Sequence, residues 1–189
     1  MSKIKNVIVV LHPKFAEFQI GHTLFLLKKV GNANIITATI DGNPVESIGG
    51  LNVHADVSLE QLKIDQASLF LIPGGDGIQE VINEKKMSEI LVKAFDSNIP
   101  IAASCGATVL VAKAGILKKK KFTCAMKTYE HHRSLFEHAT YTGTNVQVDD
   151  SIITAKATAC AELAITIGDL LNMFKDDNQR EKLNSFLKE

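Results

Sequence analysis

Short, continuously apolar runs alternate along the chain with longer stretches whose apolar residues recur at helical spacing. Asn6–Leu11 (NVIVVL) is apolar throughout rather than alternating, which predicts a strand buried on both faces. Phe15–Val30 spaces Phe18, Leu24, Phe25 and Leu27 for the inner face of a helix, and Gly31 stops it. Asn34–Ile40 predicts a second strand, closed by Asp41-Gly42-Asn43-Pro44. Val45–Leu62 is mixed, with Gly49-Gly50 marking a small hairpin. Ala67–Ile72 (ASLFLI) is another buried strand, running into Pro73-Gly74-Gly75-Asp76-Gly77 and a helix over Ile78–Ser97. A strand at Ile99–Ser104 leads into a helix at Ala107–Ala114, stopped by Gly115. Tyr141–Val148 and Ser151–Ala155 read as paired strands around Asp149-Asp150, and Glu162–Phe174 and Asp177–Leu187 as closing helices.

This alternation predicts an α/β fold with a mainly parallel sheet covered by helices on both faces. With no internal repeat or linker, residues 1–189 read as a single domain. Ligands of such sheets gather beyond the carboxyl ends of the strands, where PGGDG and SCGAT both fall.

The 21 basic and 21 acidic residues cancel, so charge gives no reason to expect nucleic acid or an acidic membrane as partner. Val7–Leu11 is too short for a signal peptide or a membrane span. Cys105, Cys124 and Cys160 show no CxxC spacing, which argues against a zinc site or a disulfide framework. Reduced thiols in a cytoplasmic protein are the expectation.

Ala103-Ser104-Cys105-Gly106-Ala107 has the small residues that a nucleophile elbow needs on either side of its apex. A cysteine there opens a helix, where free N–H groups and the dipole favour a thiolate. Shifting the pattern by one residue puts Ser104 at the apex equally well, and free cysteine is also a common core filler. The Pro73–Gly77 loop can aim N–H groups at an oxyanion or act as a simple turn. It lacks both nucleotide-binding glycine patterns. Lys118–Lys121 reads as a solvated loop, His131-His132 as no metal site, Cys124 and Cys160 as packed thiols, and Glu162 as a dipole-complementing acid.

The stretches Phe15–Gly21, LIPGGDG at Leu71–Gly77, AASCGAT at Ala102–Thr108 and TAKATACAELA at Thr154–Ala164 resemble the ThiJ/PfpI superfamily. This is the class I glutamine amidotransferase-like group that includes the parkinsonism-associated protein deglycase, intracellular proteases and glyoxalases. The resemblance implies a flavodoxin-like three-layer sandwich with Cys105 as the elbow nucleophile. It implies an oxyanion or sulfinate pocket made by the N–H groups of Gly75 and Gly106, a pocket histidine at His138, a homodimer, and no cofactor or metal.

Two departures narrow the activity. Proteolytic members carry a histidine directly after the cysteine, where Gly106 stands here, so the general base of a peptidase is missing. Gln19 falls where many members have a proton-moving glutamate; an amide donates an N–H but exchanges no proton near neutral pH. Two functions remain. One is a cysteine-dependent glyoxalase, deglycase or amidase acting on a small reactive carbonyl or amide. The other is a non-catalytic oxidative-stress sensor whose Cys105 oxidises reversibly.

Overall fold

In the computed structural model, which describes residues 4–189, the apolar runs become the middle of one sheet. In chain order the elements are β1 (Asn6–Val10), α1 (Phe18–Lys29), β2 (Asn34–Thr39), β3 (Val45–Glu46), β4 (Asn52–Val53), β5 (Val57–Ser58) and β6 (Ala67–Ile72). Then follow α2 (Ile78–Val81), α3 (Lys85–Asp96), β7 (Ile101–Ser104), α4 (Ala107–Lys113), β8 (Lys121–Phe122) and α5 (Met126–His131). A 3-10 turn (Arg133–Phe136), β9 (Thr140–Tyr141), β10 (Val146–Asp149), β11 (Ile152–Ala155), α6 (Cys160–Leu170) and α7 (Asp177–Phe186) complete the chain.

The sheet order is β10-β11-β7-β6-β1-β2-β5, parallel except for β10 against β11. Alternate residues of each strand serve opposite faces. Val7, Val9, Leu69, Leu71 and Ile153 pack with Leu26, Leu27 and Leu163 from α1 and α6. Ile8, Val10, Phe70, Ile72 and Ile101 pack with Leu91 and Val109 from α3 and α4. The result is the expected three-layer, flavodoxin-like arrangement. Chain order reverses between β1 and β6, so the switch-point crevice opens between their carboxyl ends.

Four expectations are corrected. The helix over 78–97 is two helices, separated at Ile82–Glu84, where Glu84 is extended (ψ 114°). The cause is phase: at 3.6 residues per turn, Met87 lies about 180° around from Ile78. One straight helix would leave either Ile78 or the Met87, Ile90, Leu91, Ala94 stripe in water, and the break turns both inward. Helix α1 begins at Phe18 and buries Gln19, Ile20, Thr23, Leu26 and Leu27, while Phe18 is 55% exposed. The Tyr141–Val148 run is split between β9, paired with β8, and β10. Lys120, from the lysine run, is mostly buried and bridges Asp149 and Asp150 at the β10–β11 turn, at 3.4 and 2.7 Å. The small β3–β4 hairpin forms around Gly49-Gly50 as expected.

Candidate active site

Strand β7 ends at Ser104, which is 1% exposed, and the chain turns at Cys105 into α4. Cys105 has φ 53°, a left-handed conformation that costs a non-glycine residue energy and sits at the apex of the turn. Its N–H donates to the Ala155 carbonyl of β11 at 2.7 Å, which anchors the strained residue to the sheet. Ser104, the rival apex, is an ordinary buried strand residue.

The Pro73–Gly77 loop packs directly on this turn. A Cβ on Gly74 would lie 2.8–2.9 Å from the Ser104 carbonyl oxygen, the Cys105 Cβ and the Gly106 nitrogen. Gly75 has φ 145° and bridges Phe15 through two bonds: Ala16 N–H to the Gly74 carbonyl and Asp76 N–H to the Lys14 carbonyl. That pattern leaves the N–H of Gly75 itself outside the ladder.

Gln19 is 3% exposed, on the inner face of α1. The Gly74 N–H donates to its Oε1 at 2.9 Å, which fixes the amide beside the Cys105 thiol. The Gly106 N–H lies beside the thiol too and, like the amide, favours its ionised form. Glu17 turns away, accepting from the Gly49 N–H at 3.3 Å in the β3–β4 hairpin.

The expected thiolate preference is not met. Burial pushes the Cys105 thiol above its ordinary value and the nearby Asp76 carboxylate adds to the rise; hydrogen bonds from Gly106 and Gln19 oppose both without cancelling them. Cys124 is fully buried and pushed to about 12, and the Cys160 thiol donates to the Ala157 carbonyl at 3.2 Å.

His138 stands elsewhere. It is exposed and lines a cavity with Ala112, Gly115 and Leu117, at the far end of α4, roughly 10 Å or more along the helix from Cys105. In the same segment the His132 Nε2 lies 3.2 Å from the Gln79 amide nitrogen of α2. At Gly106 a side chain would meet Ile78 Cγ1 at 3.0 Å from its Cβ, so the turn has little room for the histidine of a peptidase. Among the described residues, no group of three or more His, Cys, Asp or Glu side chains could hold a metal ion, and no helix is long and apolar enough to cross a membrane.

The residue that sequence reasoning missed is His12. It follows β1 at the switch point and is 1% exposed. Its Nδ1 lies 2.9 Å from the Pro13 carbonyl oxygen and its Nε2 3.0 Å from that of Pro73. Only its place, directly after an apolar strand and before a proline, could have flagged it. Burial holds its pKa below the ordinary 6.5, despite those carbonyls and Glu80. The unfolded chain therefore takes up the proton at higher pH than the folded one. The sign follows: stability is complete above pH 6.5 and is lost as pH falls from there through the lowered pKa. Thermal melts from pH 7.5 to 5 are expected to show a larger loss of Tm in the wild type than in His12→Gln.

Comparison with known proteins agrees with this architecture. The chain is 29% identical over 196 residues to the glutathione-independent glyoxalase DJR-1.2 of Caenorhabditis elegans, covering 100% of this chain and 97% of that one. It is 26% identical over 164 residues to the uncharacterized protease YoaZ of Bacillus subtilis, covering 85% and 78% of the two chains. Among solved structures, the DJ-1 superfamily protein Atu0886 of Agrobacterium tumefaciens superposes with a TM-score of 0.85 at 23% identity, over 96% of this chain and 97% of that one. The profile of the DJ-1/PfpI family matches residues 5–169, which takes in Gln19, the Pro73–Gly77 loop and the Cys105 turn, and by that match the chain belongs to the DJ-1/PfpI family.

Proposed function

We propose that this single-domain protein is a cysteine-dependent enzyme acting on small reactive carbonyl compounds, of the glyoxalase or deglycase kind. The observation that carries the reading is the convergence on Cys105: a left-handed apex residue with the Pro73–Gly77 loop packed against it and the Gly106 N–H and the Gln19 amide beside its thiol. In the first step the sulfur forms a bond to the aldehyde carbon and the carbonyl π pair moves onto oxygen. The thiol proton leaves to water, and the N–H groups of Gly75 and Gly106 hold the oxyanion until water protonates it. A base then removes the hydrogen on that carbon as a proton, its bonding pair forming a carbon–carbon double bond as the neighbouring carbonyl oxygen takes a proton. Reprotonation at the neighbouring carbon with loss of the first hydroxyl's proton leaves a 2-hydroxy thioester, which water hydrolyses to the acid and the free thiol.

Gln19 cannot carry that second proton, so turnover is slow. Purified protein is expected to consume methylglyoxal slowly, and Gln19→Glu to raise kcat by about a hundredfold. The glutamate keeps one oxygen for the Gly74 N–H and supplies the missing base. If neither protein consumes methylglyoxal or a related carbonyl, the enzyme reading fails.

A second reading is supported by the same glutamine. A donor amide beside the sulfur stabilises a sulfenate or sulfinate without needing to exchange a proton, which suits an oxidative-stress sensor. A homodimer in the cytoplasm completes either reading. The exposed Phe18, Ile48 and Leu51 gather where Glu17 meets the Ile48–Gly50 turn and support a contact between copies.

A further inference from the structure

The buried His12 ring and the Cys105 turn meet through the Pro73–Gly74 peptide, which packs against the Cys105 Cβ. His12 Nε2 lies 3.0 Å from the Pro73 carbonyl oxygen. That carbonyl belongs to the same planar peptide unit as the Gly74 N–H, which donates to Gln19 Oε1 at 2.9 Å. The Gln19 amide lies beside the Cys105 thiol and favours its ionised form. These donors point toward the thiol, the orientation in which successive bonds polarise one another.

The other ring nitrogen faces a carbonyl as well, that of Pro13 at 2.9 Å. Carbonyl oxygens only accept, so both contacts become hydrogen bonds only when both ring nitrogens carry protons. A neutral ring donates to one and turns a lone pair on the other. The charged groups around the ring are those of a cavity of about 410 Å3 that His12 lines together with Asp41, Glu80 and Glu84. Lys14 bridges Glu80 at 3.0 Å, and Asp76 lies on the same loop as Pro73.

We propose that His12 is a positioning residue for Cys105: it holds the Pro73–Gly74 peptide, and its protonation strengthens the donor that Gln19 presents to the thiolate. The inference deepens the reading of Cys105 as the reactive thiol. It assigns that thiol a proton-linked control on the far side of the loop, with no contact between the ring and the sulfur required.

The test is the rate of iodoacetamide alkylation at Cys105, followed by peptide mass spectrometry between pH 5 and 8. It needs no turnover, so absence of a carbonyl substrate leaves it decisive. For an isolated thiol, the logarithm of the rate rises with unit slope in this range. In the wild type, rates at the acid end, once the pH has fallen below the lowered pKa of His12, are expected to lie about three- to tenfold above the unit-slope line drawn from higher pH, the effect of one strengthened hydrogen bond. His12→Gln keeps a donor near Nε2 but does not titrate, so its plot runs straight at a rate near that of the wild type at pH 8. His12→Phe loses the donor and is expected to react about threefold more slowly at every pH. The glutamine variant leaves Asp41, Asp76, Glu80 and Glu84 in place, so a bend that persists in it overturns the proposal. A straight wild-type plot, or equal rates for His12→Phe and the wild type, also overturns it. Should the phenylalanine variant fail to fold, NMR of the wild type decides. The Gln19 side-chain amide resonance is expected to shift with the midpoint of the His12 ring nitrogens, and an amide that stays flat through that titration refutes the relay.

Discussion

Cys105→Ser is expected to abolish carbonyl consumption, with a fall of at least about a hundredfold, while leaving the fold intact. The substitution exchanges sulfur for oxygen in a half-buried turn, so packing barely changes. What changes is nucleophilicity. A serine hydroxyl needs an adjacent base, and Gln19 and the backbone N–H groups around residue 105 are donors, not bases. The thiol escapes that requirement because a small ionised fraction reacts even with its pKa raised. The same variant separates the two functional readings. If the protein is a sensor, mild peroxide adds oxygen to Cys105 ahead of Cys124 and Cys160 in peptide mass spectrometry, and the serine variant shows no gain at position 105. Cys124 is fully shielded and its thiol is pushed to about 12, so it has the least thiolate to offer. Equal oxidation of all three cysteines would remove the sensor reading, and full turnover by the serine variant would remove the enzyme reading.

The parts of this fold that were legible in the sequence are those in which one physical demand dominates. Strands β1, β6, β7 and β11 are buried on both faces, so they read as unbroken apolar runs bounded by turn residues. Strands β5, β8 and β9 have two residues each and leave no pattern to recognise. Helix α1 misleads because two of its inward positions, Gln19 and Thr23, are polar. Gln19 faces inward to reach Gly74 and Cys105, and the apolar-face rule fails at the site that function claims. Of the four residues that rule selects, Leu27 is buried, but Phe18 and Phe25 lie on the outward side, where the Phe25 ring sits tilted against Phe186 of α7 with centroids 5.7 Å apart. The α2–α3 break was readable in principle, since the apolar phase shifts between Ile82 and Met87 within an otherwise helical stretch.

The candidate site divides the same way. Small residues around Cys105 and glycines in PGGDG report local backbone crowding, and local crowding is written in sequence. The role of Gln19 came only through resemblance. His138 was placed by distance along a variable segment, which carries no information about where that segment folds. His12 gave no signal because its partners, the Pro13 and Pro73 carbonyls, are main-chain atoms that any residue would supply.

Gly74→Ala is expected to destabilise the protein by about 3 kcal/mol and to slow Cys105 alkylation, although alanine suits the backbone angles at this position. Gly74 is not among the residues with positive φ, so the effect is purely one of space. The added methyl would stand 2.8 Å from the Ser104 carbonyl oxygen and 2.9 Å from both the Cys105 Cβ and the Gly106 nitrogen. None of these is the free end of a flexible side chain. Ser104 is fixed by pairing with Ala155, and Cys105 by its bond to the same residue, so the Cys105 turn cannot retreat without breaking sheet bonds. The loop must yield instead, which draws the Gly74 N–H away from Gln19 and loosens the Gly75 loop on the cysteine turn. Gly21→Ala is the control. It lies in α1 with nothing within 4 Å of its Cβ position, and there alanine gains about 0.5–1 kcal/mol through helix propensity. Urea midpoints measured on both variants should move in opposite directions. If Gly74→Ala stays within about 1 kcal/mol of the wild type, the Pro73–Gly77 loop is not packed on the cysteine turn. Gly75 would then have no claim on an oxyanion formed at Cys105.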